Sequence, residues 1–226
     1  MANSEEEQRA APSGVVDWGE RIRRRLAGTA PVHERDQWLL PGRTPEQSRA
    51  FMHHFPADPI PAAVLIPLVE RDTELTVLLT ERATQLRNHA GQISFPGGRT
   101  EPGDDGPRAA ALREAREEIG LDAAYVHVAG YLPDHVIISG FRVTPVVAFI
   151  RPGFDLLLDS QEVQSTFEVP LAYLFDPANH QMRRRRVPSG AEVDVLDIPF
   201  GAHNIWGATA GMIFTLYRLC IEDASA

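Results

Sequence analysis

Three glutamates, Glu114, Glu117 and Glu118, stand at positions i, i+3 and i+4 of the run 107–119. At about 100° per residue that spacing gathers their carboxylates on one face of a helix. Like charges so placed destabilise an isolated helix by roughly 0.2–0.5 kcal/mol per pair, so the cluster calls for cations. Arg113 and Arg116 supply part of them, and a divalent ion would supply more. Carboxylate oxygens are hard donors, and with no His or Cys among them they suit Mg²⁺ or Mn²⁺ rather than zinc. Most Arg–Glu helices are simply solvated, salt-bridged faces. This one follows the glycine-rich run Gly97-Gly98-Arg99-Thr100-Glu101-Pro102-Gly103 at a fixed distance, and a diphosphate needs close backbone approach as well as metal.

The elements that must position these groups are legible around them. Asp104, Asp105 and Pro107 form a helix start signal, and Gly120 is placed to end the helix in the left-handed region. Leu112, Ala115 and Ile119 fall together as the packing face. β-rich runs at 63–69 and 75–79, separated by Glu70 to Glu74, predict a hairpin, with further strands at 125–131, 141–150, around 191–197 and near the C-terminus. A shorter helix is expected within 171–175 or within 205–219. Ahead of these, residues 1–14 read as a mobile tail, and Val15, Trp18, Ile22 and Leu26 fall near helical spacing with Arg23, Arg24 and Arg25 on a solvated face. The proline-rich stretch 31–61 reads as a connection lying on the domain. The organisation expected is therefore a tail (1–14), an N-terminal helix with its connecting extension (15–60) and one catalytic domain (61–226).

Other basic or metal-like runs have plainer readings. Arg183 to Arg186 cannot all face one pocket from a strand, because alternate side chains oppose each other, so an exposed strand is expected. His53-His54 lacks a partner at ligand spacing and is expected on the surface or in packing contacts.

The chain's 226 residues suffice for one substantial core with an appended segment. With 43% hydrophobic and 23% charged residues, the composition is that of an ordinary globular protein rather than a membrane one. A net charge of -9 argues against broad binding to nucleic acid. Cys220 is the single cysteine, so an intrachain disulfide and a thiolate metal cluster are excluded, and with no export signal in 1–10 a cytoplasmic protein is expected. All 22 basic residues are Arg, the better bidentate partner for phosphate.

On these residues the chain resembles the Nudix family. Its box is matched by Gly98, Asp104 or Asp105, Arg113-Glu114, Ala115, Glu117-Glu118, Gly120 and Leu121. The gap from Gly98 to Arg113 is one residue longer than the family pattern, Asp replaces its first Glu, and Ala115 is small for an aliphatic slot. The resemblance implies an α/β fold, a Nudix-type α/β/α sandwich with a mixed central sheet, here with an N-terminal helical extension. It also implies metal-dependent hydrolysis of a diphosphate, with Glu114, Glu117 and Glu118 as metal ligands and Arg113 orienting them.

Directly upstream, the run from Leu78 to Gly98 is similar to a second signature, that of the coenzyme A pyrophosphatase branch, through Leu78-Leu79-Thr80, Arg82, Arg87, Gly91 and Phe95-Pro96-Gly97-Gly98. That resemblance implies CoA or acyl-CoA as substrate and 3′,5′-ADP with (acyl-)4′-phosphopantetheine as products. Arg82, Arg87, Phe95, Gly97 and Gly98 are the implied substrate contacts, and His89 is expected in a hydrogen-bonding scaffold. Glu162, near a further branch-like segment at 167–171, is the expected additional acidic residue, a ligand or general base. Trp206-Gly207-Ala208-Thr209 also resembles the branch and is read as packing at the domain edge. The rival substrates are ADP-ribose, NADH or a nucleoside triphosphate, and the rival role is a non-catalytic binding module. The partner expected is a small molecule, neither nucleic acid nor membrane, and a homodimer stays open as the assembly.

Overall fold

The computed structural model describes residues 16–86, 89–186 and 192–222. The tail expected at 1–14 and Arg87 lie outside these residues. Strand β1 (Ile60–Glu70) is the spine. It pairs in parallel along ten residues with β7 (Phe141–Ile150), from Ile60↔Phe141 to Val69↔Ile150. Both strands are near-continuous runs of Val, Ile, Leu, Ala and Phe because both of their faces are covered, as parallel strands require. Strand β2 (Leu75–Arg82) pairs antiparallel with the end of β1 through Leu68↔Val77, so the expected hairpin forms across 70–75. The far half of β2 leaves β1 and instead pairs with β3 (Ile93–Ser94), while β4 (Gly97–Arg99) takes the vacated edge of β1. β5 (Val126–Tyr131) and β6 (His135–Val136) pair with β7, and β8 (Val163–Pro170) covers the other edge of β2.

Alternation along β1 and β7 separates two layers. Ala63, Leu65, Val69, Val146, Ala148 and Ile150 pack against helix α3 (Gly106–Ile119). Ile66, Leu68, Val147 and Phe149 face the opposite layer, with Ile22 and Leu26 of α1 (Trp18–Leu26) and Met212, Ile213 and Leu216 of α5 (Gly207–Ile221). The result is the expected α/β/α sandwich with a mixed sheet and an N-terminal helix. Asp17 caps α1 by accepting the Glu20 amide at 2.9 Å. Arg23 and Arg24 are exposed, as expected; Arg23 pairs with Glu70, and its guanidinium also lies 3.5 Å from the Phe149 ring centroid.

The stretch 31–61 holds a helix that the sequence reading did not anticipate, α2 (Pro45–Phe51), started by a capping box between Thr44 and Gln47. Its buried residue is Ser48, whose hydroxyl accepts the Leu40 amide at 2.9 Å, so it shows no apolar stripe to read. Trp38, Leu40 and Met52 bury themselves against Val136 in a cluster of their own. Both alternatives for a later helix are realised, as α4 (Leu171–Leu174) and α5.

A second sheet, in the order β11–β10–β9, comprises β9 (Gln181–Arg186), β10 (Glu192–Phe200) and β11 (His203–Trp206). β9 is the arginine run. Arg183 and Arg185 share the face that turns toward Asp197, which is fully buried, and Arg185 donates to it at 2.6 Å. The run is thus a strand, as expected, but Arg183 and Arg185 share a buried partner that the expectation of a merely exposed strand omitted. Trp206 packs under Arg185, 4.3 Å from the guanidinium carbon to the ring centroid, and Thr209 donates to the Ile93 carbonyl at 3.0 Å. Among the described residues no helix is long and apolar enough to cross a membrane.

Candidate active site

Helix α3 can lie close on the sheet because its buried contacts are small: Ala110, Ala111 and Ala115 are each at most 1% exposed. The small residue at 115 is therefore what this helix–sheet approach uses. Gly120 ends the helix at φ 68°, ψ 15°, and its amide donates back to the last turn. Asp105 is the N-cap but makes no side-chain cap bond. Asp104 instead accepts the Glu101 amide at 2.8 Å and takes Arg113 in a two-pronged pair, Nε–Oδ1 and Nη2–Oδ2 both at 3.0 Å. That pairing identifies Asp104 as the acidic residue that faces the helix from the loop.

Arg113 is the hub. Beyond Asp104 it donates to the Arg99 carbonyl at 2.9 Å and, through Nη1, to Glu114 and Glu117 at 3.0 Å each. The Arg113 guanidinium holds the Asp104 carboxyl below the usual carboxylate range, while its own proton is held more tightly still. Five donors in a rigid fork allow one side chain to serve four acceptors, which lysine could not do.

Strand β4 completes the floor. A Cβ on Gly98 would collide with the Glu114 carboxylate, and one on Gly97, at φ 154°, would collide with the Ala63 carbonyl. These two glycines let β4 run tight against β1 with the Glu114 carboxylate directly above it. The Gly97 amide donates to Glu118 Oε2 at 3.0 Å. From the other side Arg82, at the end of β2, stands 3.7 Å from Glu118 Oε1. Its Nε is buried and has no hydrogen-bond partner among the described residues.

Glu118 is only 4% exposed. Burial pushes its carboxyl up to about 7; the Gly97 amide and Arg82 oppose the shift, and the charges of Glu114 and Glu162 add to it. Glu114 is raised as well, chiefly by burial, against the pull of Arg113. Glu162 is exposed, on the segment that leads into β8, and acts electrostatically on both helix glutamates. Burial, like charge and a short supply of cations in one place are what a functional site rather than a solvated face displays.

The expected residues divide accordingly. Arg113 with Glu114, and Glu118 with the Gly97 amide and Arg82, come together by hydrogen bond or ion pair, Gly98 lies close under Glu114, Glu162 joins through its charge, and Glu117 sits on the rim with its side chain 59% exposed. Phe95 does not line the cleft. It is 3% exposed and packs in the layer opposite α3, a correction to its reading as a substrate contact: an apolar ring between two short strands fills core space. His89, at φ 60°, bonds Gln92 at 2.9 Å. His53 and His54 lie against each other in a short 3₁₀ turn, with ring centroids 3.9 Å apart.

Among the described residues no three His, Cys, Asp or Glu side chains converge around one point to enclose a metal. The reason is visible in their partners: Arg113 holds Glu114 and Glu117, and the Gly97 amide and Arg82 hold Glu118. The donor set nonetheless fits Mg²⁺ or Mn²⁺, since all of it is carboxylate oxygen and the buried members repel one another for want of cation.

The NUDIX domain model matches residues 59–188, more than half of the chain. The chain belongs to the NUDIX family. The NUDIX segment accounts for β1 through β9 and every expected site residue. Proteins named uncharacterized Nudix hydrolase NudL, from Yersinia pestis (strain Pestoides F) and Yersinia pseudotuberculosis serotype O:1b (strain IP 31758), are each 43% identical over 127 residues. That match covers 56% of this chain and 63% of each relative's own length. Among solved structures, a C. elegans Ap4A hydrolase binary complex is 23% identical over 49% of this chain and 80% of that one, with TM-score 0.42. A MutT/nudix family protein from Enterococcus faecalis is 12% identical over 77% and 68%, with TM-score 0.44.

Proposed function

We propose that this NUDIX protein hydrolyses the diphosphate bond of coenzyme A or an acyl-CoA, giving 3′,5′-ADP and (acyl-)4′-phosphopantetheine, in the cytoplasm. The observation that carries the reading is the ion pair of Arg82 with Glu118. It joins the upstream signature at 78–98 and the helix carboxylates in one site, as expected if the first recognises the substrate whose diphosphate the second acts upon. The buried Nε of Arg82, unpartnered among the described residues, is a donor suited to a phosphate oxygen.

Glu114, Glu117 and Glu118 would hold Mg²⁺ or Mn²⁺. When bound, such an ion neutralises charge on a diphosphate and lowers the pKa of a coordinated water. The chain's own residues do the remainder. Arg113 fixes Glu114 and Glu117 through one guanidinium. Gly97 and Gly98 let β4 lie tight against β1 and directly under the Glu114 carboxylate, where a Cβ would collide. Glu162 is the candidate general base, an exposed carboxylate beside the buried pair. No covalent intermediate is required.

Product analysis by mass spectrometry, with CoA, ADP-ribose, NADH and a nucleoside triphosphate in parallel and with or without Mg²⁺ or Mn²⁺, tests the reading. Metal-dependent 3′,5′-ADP plus 4′-phosphopantetheine is the expected result. Intact CoA with turnover of another compound would replace the substrate, and no turnover of any would leave a binding module. Sedimentation of the same preparation decides between monomer and homodimer.

A further inference from the structure

The segment between β7 and β8 is a strap laid across the C-terminal end of α3. Phe154, Leu156 and Leu158 anchor it on the layer that α3 covers. Two of its amides meet carbonyls that the end of a helix leaves without partners: Leu157 N donates to Ile119 O at 3.0 Å, and Asp159 N donates to Glu118 O at 2.9 Å. Gly120 makes this approach possible. A Cβ there would stand 2.8 Å from Leu157 N and 2.9 Å from Leu157 Cβ, at a φ of +68° that side chains rarely adopt.

From Asp159 the strap turns into Glu162. The Asp159 side chain accepts the Gln161 amide at 2.9 Å, and its carbonyl accepts the amides of Glu162 and Val163 at 3.0 and 2.8 Å. The far wall of the site then grips the same turn: Ala83 N donates to Glu162 O at 2.9 Å, and Gln85 Nε2 to Ser160 O at 2.8 Å. Glu162 is thereby fixed from two sides, by the helix that carries Glu118 and by the segment that follows Arg82.

We propose that this strap is a positioning device, in which Gly120 and Asp159 set Glu162 against Glu114 and Glu118 by tying its turn to the end of α3. Gly120 and Asp159 are positioning residues and touch no reacting atom. The inference rests on the reading of Glu162 as part of the chemistry, and it adds that the glycine ending the helix acts through Glu162 and not only as a helix stop.

The test is a double-mutant cycle in the full chain with CoA and Mn²⁺. Glu162→Gln is expected to lower kcat about 100-fold, the scale of a lost general base. Gly120→Ala should lower it by a comparable factor, because a displacement near 1 Å can cost about 100-fold, with KM within about twofold. The Gly120→Ala/Glu162→Gln double variant should be no slower than the slower single one. Factors that multiply would overturn the proposal, as would a wild-type rate in Gly120→Ala. Should Gly120→Ala fail to fold, Asp159→Ala, which keeps the backbone tie to α3 but removes the side-chain bond to the Gln161 amide, loosens the turn that carries Glu162; a drop of about tenfold is expected, and a wild-type rate there would overturn the part given to Asp159. A readout independent of turnover is hydrogen exchange of the Leu157 and Asp159 amides, protected in the wild type and fast in Gly120→Ala; equal protection in both would overturn the device. If the wild type leaves CoA intact, the substrate reading fails and the exchange experiment still decides the strap.

Discussion

Two of the arginine–carboxylate clusters in this molecule are balanced in opposite senses. Around α3 five acidic side chains, Asp104, Glu114, Glu117, Glu118 and Glu162, share two arginines among the described residues, Arg113 and Arg82. In the second sheet a single buried Asp197 receives Arg183, Arg185 and the Asn204 amide. The second arrangement answers a buried charge with more cation than it needs, which is how a fold keeps such a charge. The first leaves buried carboxylates short of cation and costs stability to maintain. Proteins keep a deficit of that kind where a ligand makes it good.

The largest expected effect separates the two outright. Glu118→Gln should lower kcat by about 1,000-fold or more, since it removes a metal-binding charge, while the melting temperature holds or rises as repulsion with Glu114 and Glu162 disappears. Wild-type turnover in that variant would remove Glu118 from the chemistry. Asp197→Asn should do the reverse. It leaves two arginines facing each other without their counter-charge and costs about 2–3 kcal/mol, below the 3–5 kcal/mol of a fully buried pair because both arginines reach solvent. Activity per folded molecule should not change. Chemical denaturation alongside initial rates reads both, and a fall in kcat for Asp197→Asn at full occupancy of the folded state would break the distinction.

The first cluster was largely legible in the sequence and the second was not. Glu114, Glu117 and Glu118 are close in the chain, so helical periodicity alone assembles them, and Gly120 and Pro107 bracket their helix. Asp197 meets Arg185 across a strand pair twelve residues apart, and four consecutive arginines do not announce which two turn inward. The same limit hid the strap: Leu157 and Asp159 bond to α3 through backbone amides, which carry no residue-type signal. α2 escaped because seven residues with a buried serine present no apolar stripe, and Phe95 was misplaced because its motif fixes its neighbours, not the face its ring takes. The sandwich was expected from the family resemblance, and the apolar runs that became β1 and β7 together with the bracketed helix α3 were compatible with it.

The two balances also predict opposite pH dependences of stability in the metal-free protein. Glu118, raised to about 7 from an ordinary 4.5, binds a proton more readily folded than unfolded, so its contribution is present below pH 4.5 and lost as pH rises through 7. His135 behaves in the opposite sense. It is fully buried between the Pro133 carbonyl at 3.0 Å and Thr215 Oγ1 at 2.9 Å, and burial lowers its pKa from 6.5 to about 4. The unfolded chain then takes the proton first, so its contribution is full above pH 6.5 and lost as pH falls toward 4. The two slopes, each on the order of 3 kcal/mol over its window, offset each other in the wild type between about pH 4.5 and 6.5. Denaturation midpoints across that range should be nearly level for the wild type and should fall with acid for Glu118→Gln. Parallel curves would mean that Glu118 titrates normally.

The smallest effect lies inside the second cluster and tests whether it is a true three-membered network. Arg185 donates to Asp197 at 2.6 Å and stacks on Trp206, with its side chain 32% exposed, whereas Arg183 stands at 3.7 Å with 52% exposed. Distance and screening both weaken the second interaction, so Arg183→Gln should cost no more than about 0.5 kcal/mol. Arg185→Gln should cost about 1–2 kcal/mol, because it removes a charge-assisted hydrogen bond and the cation–π stacking on Trp206 at once. If the two substitutions cost the same, Asp197 is held by the pair jointly. If Arg183→Gln is neutral, the excess cation of this cluster sits in solvent and one arginine is enough to keep the buried aspartate.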